Sequence, residues 1–148
     1  QEGFENYVVE IGGELRVKGQ NRESSNWAIG IEAPSTSERV PHAVVNVPNT
    51  SVATSGDYRN YFEHEGRRFS HTIDARTGRP VTHNLAAVTV IDASAAYADA
   101  MATALLVLGP DAGPALAEKL DIAAYFLVRD QTDIRELTTT EFDTLGAQ

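Results

Sequence analysis

The first half of the chain is a series of short apolar runs broken by glycine, proline and asparagine. Tyr7–Ile11 and Leu15–Lys18 flank Gly12-Gly13, a dipeptide suited to the tight turn of a hairpin. Trp27–Ile31, His42–Val47 and Ser51–Ser55 read as three further strands, the last two split by Pro48-Asn49. Ala33–Pro41, with two prolines and four Ser, Thr or Glu positions, reads as a loop. Asp57–Phe62 is expected to form a single helical turn. Glu63-His64-Glu65-Gly66 is expected to turn into a strand over Arg67–Ile73, and Ala75–Pro80 to loop out of it. Leu85–Ile91 is apolar almost throughout, as in a strand covered on both faces.

The period changes after Ile91. Ala95–Leu108 holds six alanines and neither Gly nor Pro. Ser94 or Asp92 can cap its start, and Gly109-Pro110 closes it. Gly113–Leu120 is expected to form a second helix with Pro114 in its first turn. Ala123–Arg129 and Ile134–Leu137 then read as two late strands around the turn Asp130–Asp133. The expected class is α+β: a mostly antiparallel sheet with a long Ala-rich helix and one or two shorter helices. No repeat, low-complexity tract or long linker divides the chain, so residues 1–148 are expected to form a single domain. Gln1-Glu2-Gly3-Phe4 is not an initiator sequence, and no basic, apolar leader precedes it. The chain is therefore expected to be the mature or truncated part of something longer.

Composition narrows the function. With 42% hydrophobic residues in 148, the chain can bury a core without staples. The absence of cysteine excludes a disulfide scaffold, a thiolate zinc site and a thiol nucleophile. No run approaches about 20 apolar residues, so no membrane span is expected. The net charge of −9 argues against non-specific binding of nucleic acid. That charge is uneven. Residues 57–79 carry four acids and five arginines, whereas residues 80–148 carry ten acids and three bases. Such a basic stretch can meet an anion such as phosphate, or its arginines can simply solvate the end of a strand.

Three constellations carry candidate chemistry. Asp99 and Thr103 are one helical turn apart and share a face. Both are hard oxygen ligands of the kind Mg²⁺ takes. Their neighbours Ala96, Ala98, Ala100, Ala102 and Ala104 leave room for close approach. The alternative is a solvent-facing Asp99 with the Thr103 hydroxyl bonded back to the carbonyl of residue 99. Next comes Ser70 to Pro80, where a strand delivers His71 into a loop with Asp74, Arg76, Thr77, Gly78 and Arg79. Histidine is the usual general acid or base near neutral pH, and the backbone at Thr77-Gly78 can approach a phosphate closely. A capped turn built on Asp74 is the alternative. Last, Thr54-Ser55-Gly56 can form a small anion-binding turn, or a strand-to-helix connection capped by Ser55 or Asp57. It lacks the Lys and the spacing of a P-loop. His64 lacks the spacing of zinc proteases, His83 can bond to local backbone, and Ser70 and His71 point to opposite faces of a strand.

In this order the blocks resemble the C-terminal part of the FAD:protein FMN transferase family, also called ApbE. The residues that carry the likeness are Tyr7–Gly19, Ala53-Thr54-Ser55-Gly56-Asp57-Tyr58-Arg59-Asn60-Tyr61, His71-Thr72-Ile73-Asp74 with Thr77-Gly78-Arg79-Pro80, and Ala98-Asp99-Ala100 through Thr103-Ala104 to Leu108-Gly109. The resemblance implies part of a T-fold-like architecture. It implies transfer of the FMN part of FAD to a Thr or Ser hydroxyl of an acceptor flavoprotein, with release of AMP and a need for Mg²⁺. It implies that Asp99 and Thr103 offer side-chain oxygens to the metal and Ala102 its carbonyl. It makes His71 the catalytic histidine and Ile73 a backbone contact to FAD, with Thr77 and Gly78 beside it. Ala75 departs from the family, where proline often follows the Asp, and leaves that loop less rigid.

Relatives also carry a long N-terminal part that completes the flavin pocket and adds a metal ligand. This chain alone is therefore expected to bind FAD weakly or not at all and to transfer nothing. A pyrophosphatase giving FMN and AMP, and an FAD-binding module without chemistry, are the alternative readings. By the same likeness the whole protein is expected in the periplasm, held by a lipid anchor outside this chain, with no nucleic-acid partner.

Overall fold

The structure is a computed structural model describing residues 3–34, 40–58, 61–64, 67–131 and 133–146. Its centre is a six-stranded antiparallel sheet of β1 (Tyr7–Ile11), β2 (Glu14–Lys18), β5 (Ser51–Gly56), β10 (Leu85–Asp92), β11 (Ala123–Asp130) and β12 (Asp133–Thr138), adjacent in that order. The Gly12-Gly13 turn joins β1 to β2, and both glycines have the positive φ that such a turn requires. β5 runs against β10 in a register pairing Val52 with Ile91 and Ser55 with Val88.

Both faces of this sheet are covered. On β11, Ala124, Phe126 and Val128 point into one core, and Ala123, Tyr125 and Leu127 into the other. That two-fold alternation of apolar residues on both faces explains why β10 and β11 read as unbroken hydrophobic runs. Phe126 is fully buried, a burial that contributes about 1.5–3 kcal/mol. One face carries the helix α1 (Ala95–Lys119). The other carries the hairpin of β3 (Trp27–Glu32) and β4 (Pro41–Val47), with α2 (Thr140–Gly146) alongside.

Helix α1 starts as its sequence predicts. Ser94 Oγ accepts the Tyr97 amide at 3.3 Å, and Asp92 Oδ1 accepts the Ser94 amide at 2.7 Å. It breaks at Gly109, whose φ of 84° lies outside the helical region. Helical structure resumes at Pro110 rather than at Gly113, because a proline is well placed in a first turn. The 25-residue helix contains an 18-residue stretch of mean hydropathy 1.3, long and apolar enough to cross a bilayer. This differs from the expectation that no segment would reach that length, since the run continues through two prolines and two glycines. Its break and its sheet-packed side make it a core helix here.

Other expectations change in detail. Tyr61 and Phe62 are not helical. They belong to β6 (Tyr61–His64), which pairs with β7 (Arg67–Ser70), and Phe62 stacks on Phe69 across that pair at 5.1 Å. Glu63 and His64 of the expected turn also lie in β6. Residues 59–60 and 65–66, like 35–39 of the expected proline loop, lie outside the described residues. The strand expected over Arg67–Ile73 is interrupted, because Ser70 Oγ accepts the Thr72 amide at 3.1 Å and bends the chain. It resumes as β8 (Ile73–Asp74), paired with β9 (Arg79–Pro80) in the expected loop. Helix α2 was not expected. Its signals are Thr139, which caps the Phe142 amide at 3.4 Å, and the acids Glu141 and Asp143 in its first turn.

Candidate functional site

A cleft of about 630 Å³ opens at the end of β5 nearest Gly56. Four elements wall it: the β1–β2 hairpin, β3, the exit of β5, and one side of α1. The segment between β7 and β8 closes a further edge. Asp99, Thr103, His71 and Ile73 all line it.

Helix α1 presents its two oxygen donors because of where its alanines fall. Ala98 and Ala102 are fully buried against the sheet. Asp99 and Thr103, each one residue further on, emerge exposed at the edge of that contact. Thr103 is held from the sheet side, with its Oγ1 2.7 Å from Ser55 Oγ. The back-bond to the residue 99 carbonyl, expected as the alternative, is replaced by this contact between helix and strand. Ser55 faces the helix because Ala53, two residues earlier on β5, does so too. Ala102 lies in the buried layer and does not line the cleft.

His71 stands between Ser70 and Thr72, whose side chains are buried. At this bend His71 is itself exposed and lines the cleft edge. The Thr72 carbonyl accepts the Val81 amide at 3.0 Å and fixes the backbone there. Thr77 and Gly78 lie apart from the cleft in the β8–β9 turn. That turn is capped by Asp74, whose Oδ1 accepts the Arg76 amide and whose carbonyl accepts the amides of Thr77 and Gly78. The Arg76 guanidinium, bonded to both carboxylate oxygens, holds the Asp74 carboxyl below the usual carboxylate range. Of the residues that sequence patterns single out, the fold thus gathers Asp99, Thr103, His71 and Ile73, and leaves Ala102, Thr77 and Gly78 outside the cleft lining.

One wall residue, Glu32, escaped the sequence reading, and its partner Tyr58 entered only within the block that carries the family likeness. Glu32 at the end of β3 accepts a hydrogen bond from the buried Tyr58 hydroxyl at 3.3 Å, and both line the cleft. No local pattern marks Glu32, because only the fold brings β3 to this place. Tyr58 in turn requires Gly56, since a Cβ there would stand 2.5 Å from the phenol ring. Glu10, Glu14, Glu32 and Asp99 make the cleft rich in carboxylates, with His71 at its rim.

Among the described residues no three His, Asp or Glu side chains converge on one point. Asp99 and Thr103 therefore do not form an all-protein metal cage. They do match the habit of Mg²⁺, which takes one or two protein oxygens and completes its octahedron with water and substrate phosphates.

Comparison with known proteins gives a consistent result. The ApbE family profile matches residues 1–126. The FAD:protein FMN transferase of Vibrio cholerae serotype O1 is 45% identical over 141 residues, covering 95% of this chain and 42% of that protein. Its counterpart in Escherichia coli K12 is 39% identical over 142 residues, 96% of this chain and 40% of that protein. The crystal structure of Pseudomonas stutzeri flavinyl transferase ApbE in its apo form superposes with a TM-score of 0.83 at 49% identity, covering 99% of this chain and 45% of that one. The flavin transferase ApbE of Vibrio cholerae gives 0.84 at 41% identity, covering 97% and 45%. The chain thus spans less than half the length of these relatives. By sequence and by fold, it belongs to the ApbE family.

Proposed function

We propose that this chain supplies one wall of a site that transfers the FMN portion of FAD to a Thr or Ser hydroxyl of an acceptor protein. The observation that carries the reading is the shared cleft: the His71 imidazole from the β7–β8 segment and the Asp99 carboxylate and Thr103 hydroxyl from α1 line the same space. The names of the relatives supply the reaction class.

The acceptor oxygen attacks the phosphorus on the FMN side of the diphosphate. A new O–P bond forms, the bond from that phosphorus to the bridging oxygen breaks, and AMP leaves with that oxygen. His71 takes the hydroxyl proton on an imidazole nitrogen, a role worth about 10²–10⁴ in rate. Ile73 borders the cleft beside it and offers backbone to the flavin nucleotide. The carboxylates of the wall repel a diphosphate, so the reading needs a cation. Asp99 and Thr103 would hold Mg²⁺, which supplies charge stabilisation on the phosphate oxygens when bound. The Ala102 carbonyl joins this set by family likeness alone, and Thr77 and Gly78 serve chiefly as the turn that holds β8, and so Ile73, in place.

The test is product analysis with FAD, Mg²⁺ and an acceptor protein. In the full-length context, AMP is expected in step with flavin fluorescence on the acceptor band, and Asp99→Asn is expected to abolish both. AMP release that continues unchanged without acceptor would mean a pyrophosphatase instead. The isolated chain is expected to release none.

A further inference from the structure

Ser55 has no role in the chemistry above, yet it touches the cleft's most specific feature. We propose that Ser55 is a positioning residue for the Thr103 hydroxyl, taking its proton so that its lone pairs face the metal. This rests on the assignment of Asp99 and Thr103 to the metal.

A hydroxyl has one proton and two lone pairs. To ligate a cation, Thr103 must send its proton elsewhere. Within a helix the nearest acceptor is the carbonyl four residues back, and that bond ties the hydroxyl to its own helix. Here the partner is Ser55 Oγ at 2.7 Å, an ordinary O–H···O separation. Either oxygen can be the donor in this pair. A cation on the far side of Thr103 removes the choice: Thr103 donates and Ser55 accepts.

Ser55 is well fixed for the task. Its backbone lies in the β5–β10 ladder opposite Val88, whose side chain is fully buried beneath α1. Cross-strand partners share a face, so Ser55 is aimed at the helix by the register itself. Ser55 thus sets the direction of a neighbour's lone pairs without entering the coordination shell, as outer partners of metal ligands commonly do.

The probe is Mn²⁺, titrated in the full-length context with FAD present and the free ion followed by electron paramagnetic resonance. Ser55→Ala is expected to weaken Mn²⁺ binding roughly tenfold. Ser55→Thr, which keeps the oxygen, is expected to restore it. In a Thr103→Ala background Ser55→Ala is expected to add nothing, and its thermal midpoint is expected to match the parent's. Unchanged affinity in Ser55→Ala, or the same loss with and without Thr103, overturns the proposal. Asp99→Asn separates the two levels: if it too leaves Mn²⁺ affinity untouched, the metal assignment itself fails, whereas if it alone weakens binding, only the role of Ser55 fails.

Discussion

Arg129 grips Asp57 through two parallel hydrogen bonds of 2.7 Å each. The pair ties the end of β11 to the residue that follows β5, next to Gly56 and Tyr58 in the cleft wall. The Asp57 amide adds a bond of 3.0 Å to the Ala86 carbonyl. The Asp57 side chain is 19% exposed and that of Arg129 33%, so the pair is partly shielded from water. Arg129→Ala is expected to cost about 1–3 kcal/mol in chemical denaturation. Arg129→Lys should recover only part, since an ammonium cannot reproduce the fork. Full recovery by lysine would reduce the contact to simple charge attraction.

At Gly113 the second part of α1 passes close to the first. A Cβ there would stand 2.7 Å from the Leu105 carbonyl oxygen. Backbone cannot yield as a side chain does, so Gly113→Ala is expected to destabilise by about 1–3 kcal/mol. Gly109→Ala should also destabilise, through its positive φ and a Cβ 2.9 Å from the His83 ring. Melting temperatures of the two variants check this, and no loss at either position would mean that the break in the helix relaxes freely.

Glu136 links β12 to β4 through a 2.8 Å hydrogen bond with His42 Nε2. Its carboxyl is held below the ordinary value of 4.5, first by the Tyr125 phenol and then by His42, against the opposing cost of desolvation. The Tyr125 hydroxyl is buried without a hydrogen bond of full geometry, so its hold on Glu136 is a looser one. A carboxylate with a lowered folded value adds stability that is complete above its unfolded value and drains away as the pH falls below it. Glu136→Gln is therefore expected to melt below the parent at neutral pH, with the gap closing on acidification below about 4.5. A gap that stays constant with pH would assign the effect to packing.

His71 and Asp99 share the cleft but should fail in different ways. His71→Ala is expected to keep divalent-ion binding and to slow transfer by about 10²–10⁴. Asp99→Asn is expected to lose the ion and the activity together. Mn²⁺ titration beside an AMP assay distinguishes them, and loss of ion binding in His71→Ala would place the imidazole in the metal shell.

Most strands were legible because their faces are consistently buried or exposed. Leu85–Ile91 and Ala123–Arg129 have apolar residues on both sides, and the break at Gly109 is written in the Gly-Pro step. Tyr61 and Phe62 differ from the expected helical turn because their strand pairs with β7, where Phe62 stacks on Phe69, a contact that the six residues Asp57–Phe62 alone do not contain. The likeness of local motifs named the donors on α1 and the histidine after β7. It could not show that Ser55 would meet Thr103 or that Glu32 would meet Tyr58, since those meetings come from how α1 and β3 pack on the sheet. The same packing left Ala102, Thr77 and Gly78 outside the cleft lining.

Ala98 and Ala102 act as spacers. With only a methyl group each between α1 and the strands beneath, they set how near the helix lies to β5, and hence whether an oxygen on one can reach an oxygen on the other. A bulkier aliphatic at either place, such as Ala102→Val, would lift the helix by a fraction of its own width while leaving the sheet intact. On the proposed assignment of Asp99 and Thr103 to a metal, such a change is expected to weaken ion binding, so a side chain with no reactive atom would govern the reach of two that have them.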